Sequence, residues 1–224
     1  MEKKFSIEEA ISAGWEILKN NFWFILGLQM IVFALNLFPE LADFVFEDFS
    51  SMEIPLLMIG VGFFILQIIV NIGMIKIFLG LHDKKQERNV GDLFSGVDHF
   101  LDYIIGGIVY VVIVAVGFIL LIVPGIIWSI KYQFFAYLII DKNMGPLEAL
   151  KESARMTKGQ KMNLFIFSLV AILLNLAGLL FVGIGLLVTV PLTSLAVVYI
   201  FRKLSAEANV PVQAAPGVIQ SQVN

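Results

Sequence analysis

Lys131 is the residue whose position most needs an explanation. It lies inside an apolar run, Gly125 to Ile140, seven residues past Pro124. Seven residues of helix carry it roughly 10 Å from that end. Near mid-bilayer an uncompensated lysine costs about 2.5–3.5 kcal/mol, so an ionisable group there is a candidate for binding or transport. No Asp or Glu lies inside any apolar run of this chain. The partner of Lys131 must then be a polar side chain, a carbonyl, water, a lipid phosphate or a ligand. Ser129, Tyr132, Gln133 and Tyr137 recur at helical spacing and form a polar stripe, with Lys131 about 100° away from it. The plainer alternative is a lysine that snorkels or caps a carbonyl.

Other polar groups repeat within the apolar runs: Gln29 with Asn36, Gln67 with Asn71, and Ser168 with Asn175. Such pairs, with Gly106, Gly107 and Gly117, either pack helix against helix or line one polar cavity. The candidate ligand site is therefore Lys131, Ser129, Tyr132, Gln133, Gln67 and Asn71. Lys76 is expected to snorkel or to meet Asp102. Catalysis finds little support. His82 and His99 are the two histidines, and Asp98, His99 and Asp102 lack a further ligand for a metal. No zinc-protease helix, phosphate loop or nucleophile elbow occurs, and Gly183-Ile184-Gly185 reads as a turn. No enzyme activity, cofactor or metal is expected.

The elements that must carry these residues are membrane helices. Only 15% of the chain is charged and its mean hydropathy is +0.91, whereas soluble domains carry about 25% charge. Without cysteine there is neither a disulfide nor a thiol nucleophile. The apolar runs predict six spans: Phe22 to Phe38, ended by Pro39; Pro55 to Leu81; Tyr103 to Val123; Gly125 to Ile140, opened by a Pro124-Gly125 turn; Met162 to Val182; and Leu186 to Phe201, kinked at Pro191. Met1 to Asn21 is not read as a secretory signal, because a charged, periodic segment comes first. Leu41 to Ile54 reads as an acidic loop whose Phe44, Val45, Phe46 and Phe49 dip into the interface. Leu204 to Asn224 reads as a disordered tail.

Lys and Arg fall on alternate connections only. Lys3, Lys4 and Lys19 precede span one. Lys84, Lys85 and Arg88 follow span two. Lys142, Lys151, Arg155, Lys158 and Lys161 follow span four, and Arg202 and Lys203 follow span six. The positive-inside rule then puts both termini in the cytoplasm and the chain in the cell membrane. Lys151, Arg155, Lys158, Lys161, Lys84 and Lys85 are candidates for lipid headgroups rather than nucleic acid.

Three amphipathic segments lead into spans. The first has Ser6 as N-cap and Glu9 three residues on, with Ile7, Ile11, Gly14, Trp15 and Leu18 on one face. It reads as an interfacial helix with Trp15 at headgroup depth, or as a helix packed on protein. Asn89 to Leu101 and Pro146 to Thr157 follow the same pattern. Aligning Ser6, Asn89 and Gly145 puts a carboxylate three residues on in each case: Glu9, Asp92 and Glu148. The expected fold is an all-α, polytopic bundle of six membrane helices with three cytoplasmic-side amphipathic helices. Its single membrane domain, 1–203, divides into units 5–81, 89–140 and 145–203, related by a pseudo-threefold repeat.

The run VPGIIWSIKYQFFAYLIIDKNMGPLEALKESARMTKGQ, with FSIEEAISAGWEILKNN and VGDLFSG, resembles a large group of bacterial and archaeal six-span membrane proteins of unknown function. It is similar in the same places to the membrane domain of some glycerophosphoryl diester phosphodiesterases. The likeness covers Phe5 to Lys203 and implies a fold and a membrane address. It brings no catalytic residues, because that chemistry belongs to a separate soluble domain. Two roles follow as expectations. One is a membrane protein that binds or moves a lipid or other amphiphile. The other is an assembly partner of a further membrane protein, or of its own copies.

Overall fold

The computed structural model describes residues 5–46, 53–85, 89–180, 183–208 and 210; side chains are described throughout except at 38–46 and 53–57. Lys3, Lys4, Glu47, Asp48, Phe49, Arg88, Val182 and the tail beyond Val210 lie outside the described residues. So do the side chains of Asp43, Phe44, Val45, Phe46 and Glu53.

Every regular element among the described residues is helical. Helix α1 (Ile7–Asn20) turns through 91° into α2 (Phe22–Phe46). Then come α3 (Glu53–His82), two short 3-10 turns (Val90–Phe94 and Val97–His99) and α4 (Phe100–Leu120). The chain continues through α5 (Ile122–Tyr132), α6 (Phe135–Lys142), α7 (Pro146–Met156), α8 (Lys161–Leu180) and α9 (Leu186–Glu207). Five stretches are long and apolar enough to cross a membrane: Met58–His82, Val90–Leu120, Ile122–Lys142, Lys161–Leu180 and Leu186–Glu207. The bent α1–α2 pair makes a sixth when taken as one. Their apolar side chains face outward, with Leu180 85% and Ile119 83% exposed. Water would not tolerate such continuous surfaces; a bilayer does. The chain is a multi-pass membrane protein.

Several boundaries differ from those read in the sequence. Pro39 does not end its helix, because α2 runs on to Phe46. A proline removes one backbone bond, and neighbouring structure can absorb that loss in a membrane helix. The turn before the fourth span is not at Pro124-Gly125 but at Leu121, which is extended (φ −167°, ψ 154°). Pro124 falls in the first turn of α5, where its missing N–H is no loss. The segment after Asn89 is not an amphipathic α-helix but the two 3-10 turns, tightened by an Asn89–Asp92 capping box. Gly96 lies so close to α3 that a Cβ there would stand 2.7 Å from the Ile69 carbonyl. The segments aligned on Ser6, Asn89 and Gly145 thus take different forms, and Gly145 makes no side-chain cap. Helix α9 continues to Glu207, with Leu204 and Ser205 buried.

Contacts sort the chain into two compact units. One holds Met1–Ile7, Leu101–Leu169 and Ile200–Asn224; the other holds Glu8–Phe100 and Val170–Tyr199. In the first, α4 and α5 form a hairpin closed by glycine. A Cβ on Gly117 would meet the Gly125 Cα at 2.9 Å, and one on Gly125 would meet the Phe118 ring at 2.5 Å. In the second, Gly14 of α1 lies against the backbone of α9 at Leu192 and Ala196. Gly178 and Gly185 bring α8 and α9 together across a turn at Gly183, whose φ of +76° favours glycine.

This packing makes the glycines unequal. Gly117→Val should destabilise the protein by about 1–3 kcal/mol through overpacking. Gly107→Val should be close to neutral, since a Cβ there meets nothing within 4 Å. Thermal unfolding of both variants in one detergent checks the contrast.

Candidate functional site

The fourth span is broken, and Lys131 sits at the break. Helix α5 stops at Tyr132 and α6 begins at Phe135. Backbone groups freed inside an apolar layer must find partners, since none is available from lipid. Here α7 supplies them. The Ser153 hydroxyl donates to the Lys131 carbonyl (3.0 Å) and accepts from the Phe134 N–H (3.2 Å). The Thr157 hydroxyl shares its proton between the Ser153 carbonyl (2.8 Å) and the Lys131 carbonyl (3.2 Å).

The local sequence explains why α7 can do this. Asn143 takes the left-handed conformation (φ 53°) and ends α6, a geometry that Asn tolerates well. Pro146 then starts α7. Ala149, Leu150, Ser153 and Met156 are its buried residues. Ser153 therefore sits on the apolar face, where its hydroxyl reaches the break. A small hydroxyl on the inner face of an amphipathic helix was the available signal, and the sequence reading passed over it.

Around the break the first unit is aromatic. Phe135 stacks on Tyr110 (ring centroids 5.2 Å apart) and lies 6.2 Å from Tyr103. Phe134, Tyr137 and Phe201 pack on one another at 5.4–6.2 Å. The Arg202 guanidinium grips both Asp141 oxygens (2.6 and 2.7 Å), and Lys142 pairs with the same carboxylate at 3.1 Å. This bidentate pair joins the end of α6 to the end of α9. Nothing in the sequence marked Asp141 and Arg202 as partners beyond their both standing at span ends.

The predicted ligand residues separate. Lys131 holds its ammonium 4.8 Å from the Tyr132 ring centroid, a cation–π contact. At the last turn of α5 its charge also favours the negative end of the helix dipole. The Ser129 hydroxyl donates within its own helix, to Ile126, while the Ser129 carbonyl accepts from the Tyr110 hydroxyl. The Gln133 amide nitrogen is buried and has no hydrogen-bond partner among the described residues. The stripe read through Ser129, Tyr132, Gln133 and Tyr137 is interrupted by the break, and Tyr137, past it, packs on Phe134 and Phe201.

Gln67 and Asn71 belong to the other unit. Gln67 donates to Asn36 of α2 (3.1 Å), and Asn71 donates back to the Gln67 carbonyl. Asn175 of α8 donates to Thr193 of α9 at 3.4 Å. Lys76 is half-buried and donates to the Ser95 carbonyl at 2.7 Å, and so caps the first 3-10 turn. Among the described residues no three His, Asp or Glu side chains converge as metal ligands.

The headgroup candidates are on the surface. Lys84, Lys85, Lys151, Arg155 and Lys158 are exposed, and Lys161 is half-buried. Arg155 is held by Glu152 and by the Ala208 carbonyl. The hydrogen bond to Glu152 raises the Arg155 pKa above its ordinary value.

The chain belongs to the family described as Protein of unknown function (DUF975), which matches residues 37–208. It is similar to Uncharacterized protein Rv2560 of Mycobacterium tuberculosis (strain ATCC 25618 / H37Rv), with 30% identity over 103 residues. It is equally similar to Uncharacterized protein Mb2590 of Mycobacterium bovis, at 30% over 103 residues. Each match covers 46% of this chain and 31% of the relative, so the chain spans about a third of the curated relatives' length. No solved structure matches.

Ser153→Ala should strand the Phe134 N–H at the break, leave the Lys131 carbonyl to Thr157 alone, and cost about 1–3 kcal/mol. Ser12→Ala, at an exposed position of α1, should cost little. Thermal or denaturant unfolding in detergent measures both.

Proposed function

We propose that this family member binds or moves a lipid or other amphiphile with an anionic head, and that Lys131 supplies the cation. The observation that carries the reading is the broken span. Discontinuous membrane helices recur where transporters hold substrates and ions. Here the break follows Lys131, an ionisable side chain, and takes in Gln133, whose buried amide nitrogen has no hydrogen-bond partner among the described residues. An ammonium and an amide N–H suit a phosphate or carboxylate, and the surrounding aromatic and apolar side chains suit an acyl or isoprenoid tail. The likeness to the membrane domain of glycerophosphoryl diester phosphodiesterases is in keeping with a lipid ligand.

In this reading the chain crosses the membrane six times with both termini in the cytoplasm. Lys84, Lys85 and Lys151 then face the cytoplasm, and the Leu121 and Gly183 turns face outward. The natural chain has no cysteine, so single cysteines report orientation cleanly. Lys85→Cys and Lys158→Cys should be labelled by an impermeant maleimide only after the membrane is opened. Leu121→Cys should be labelled in intact cells. The reverse pattern would overturn the orientation.

Ligand binding is tested by native mass spectrometry of protein released from a mild detergent or native nanodisc. A defined adduct should accompany the natural chain and fall at least about tenfold in occupancy in Lys131→Ala, in line with the loss of one charged hydrogen bond. An adduct unchanged by that substitution would remove Lys131 from the site. A bare chain, or a protein complex without an adduct, would favour the assembly-partner role.

A further inference from the structure

Helix α7 is confined to the edge of the bilayer by its connections. Three residues, 143–145, separate it from the end of α6, and four, 157–160, separate it from the start of α8. Both neighbours belong to candidate spans, Ile122–Lys142 and Lys161–Leu180. So short a tether keeps α7 near the ends of those two spans, and its charged outer face suits headgroup level. Its buried face is Ala149, Leu150, Ser153 and Met156. On the opposite face Leu147, Lys151 and Arg155 recur every four residues and are exposed. Lys158 follows just past the helix end.

The charges on that outer side are not equally committed. Arg155 is paired with Glu152, and Glu148 is the other outward carboxylate. Lys151 and Lys158 make no hydrogen bond or ion pair among the described residues. Leu147, 60% exposed, and Met162, 71% exposed, flank them with apolar surface. Two uncommitted ammonium groups between apolar side chains, at headgroup depth, match an anionic phospholipid: phosphate to lysine, acyl chain to Leu147 and Met162. An acidic protein surface would satisfy the lysines but leave those apolar groups in water.

We propose that the outer face of α7 binds anionic phospholipid headgroups through Lys151 and Lys158, and that its occupancy is felt at the break through Ser153 and Thr157. The link is mechanical and short. The same helix that carries the two lysines outward donates inward to the Lys131 carbonyl and accepts from the Phe134 N–H. A headgroup that holds α7 in place holds those bonds closed. This site is separate from the one read at Lys131 and stands or falls independently of it.

The test compares nanodiscs of phosphatidylcholine alone with nanodiscs that contain phosphatidylglycerol. Native mass spectrometry after release counts the phosphatidylglycerol retained. Hydrogen exchange of the backbone at 131–136 reads the break. The natural chain should retain phosphatidylglycerol over phosphatidylcholine, and exchange at Phe134 should slow when phosphatidylglycerol is present. Lys151→Glu with Lys158→Glu should lower retention by more than about fivefold for each lysine and abolish the slowing. Lys151→Gln with Lys158→Gln should do so by less, and guards against misfolding of the reversed variant. Retention equal for the two lipids, or unchanged in both variants, would overturn the headgroup site. Lipid-dependent retention with no change in exchange would overturn the link to the break. Loss of the Lys131 adduct with phosphatidylglycerol retention intact would leave this site standing and remove the other.

Discussion

A broken helix inside an apolar layer has unpartnered backbone groups, and in this protein α7 supplies their partners. The Ser153 hydroxyl is the centre of that repair, since one oxygen serves the Lys131 carbonyl and the Phe134 N–H together. Hydrogen bonds to backbone carry more weight where water is absent, because the alternative is an unsatisfied polar group. The rest of the first unit follows from this constraint. Helix α7 must fold back against α5 and α6, and the Asn143 turn must allow it. The aromatic side chains of α4, α6 and α9 then fill the space around the interrupted span.

The charged groups divide into those used by the fold and those left over. Asp141, Arg202 and Lys142 close the end of α6 against the end of α9. Lys76 caps a 3-10 turn through the Ser95 carbonyl, so a lysine within a candidate span serves a structural purpose. Arg155 binds Glu152 and a carbonyl. Those left over include Lys131, with an aromatic ring as its close neighbour, Lys151 and Lys158 on and just past α7, and Lys84, Lys85 and Lys161. In the second unit Gln67 donates to Asn36 and Asn175 to Thr193, while the Asn175 amide oxygen and the Thr189 hydroxyl are buried without a partner among the described residues. That leaves Lys131 and Gln133 as the polar side chains at the break whose chemistry the fold does not consume.

Membership of an uncharacterised family gives this chain relatives but no chemistry. The physical features therefore carry the functional reading: a discontinuous span, a cation at its break, and a short amphipathic helix whose inner face bonds to the break. A solute that used these features would be amphiphilic, because the polar groups are few and the walls are apolar.

Hydropathy and length were sufficient, from the sequence alone, to establish the all-helical, multi-pass class. Each span buries its own backbone bonds and presents apolar side chains to lipid, so its signal is local. The glycine turn at Gly183 and the amphipathic character of α1 and α7 were legible for the same reason. Tertiary structure decided what depends on residues far apart in the chain. It broke the fourth span, moved the turn from Pro124 to Leu121, and carried α2 past Pro39. It turned the segment after Asn89 into 3-10 turns packed on α3, and it divided the candidate ligand residues between two units. Helical periodicity assumes an unbroken helix, and a hydroxyl arriving from another element makes the interruption affordable. No local pattern around Lys131 contains Ser153, twenty-two positions away, and so only the folded chain could show where that lysine's backbone is held.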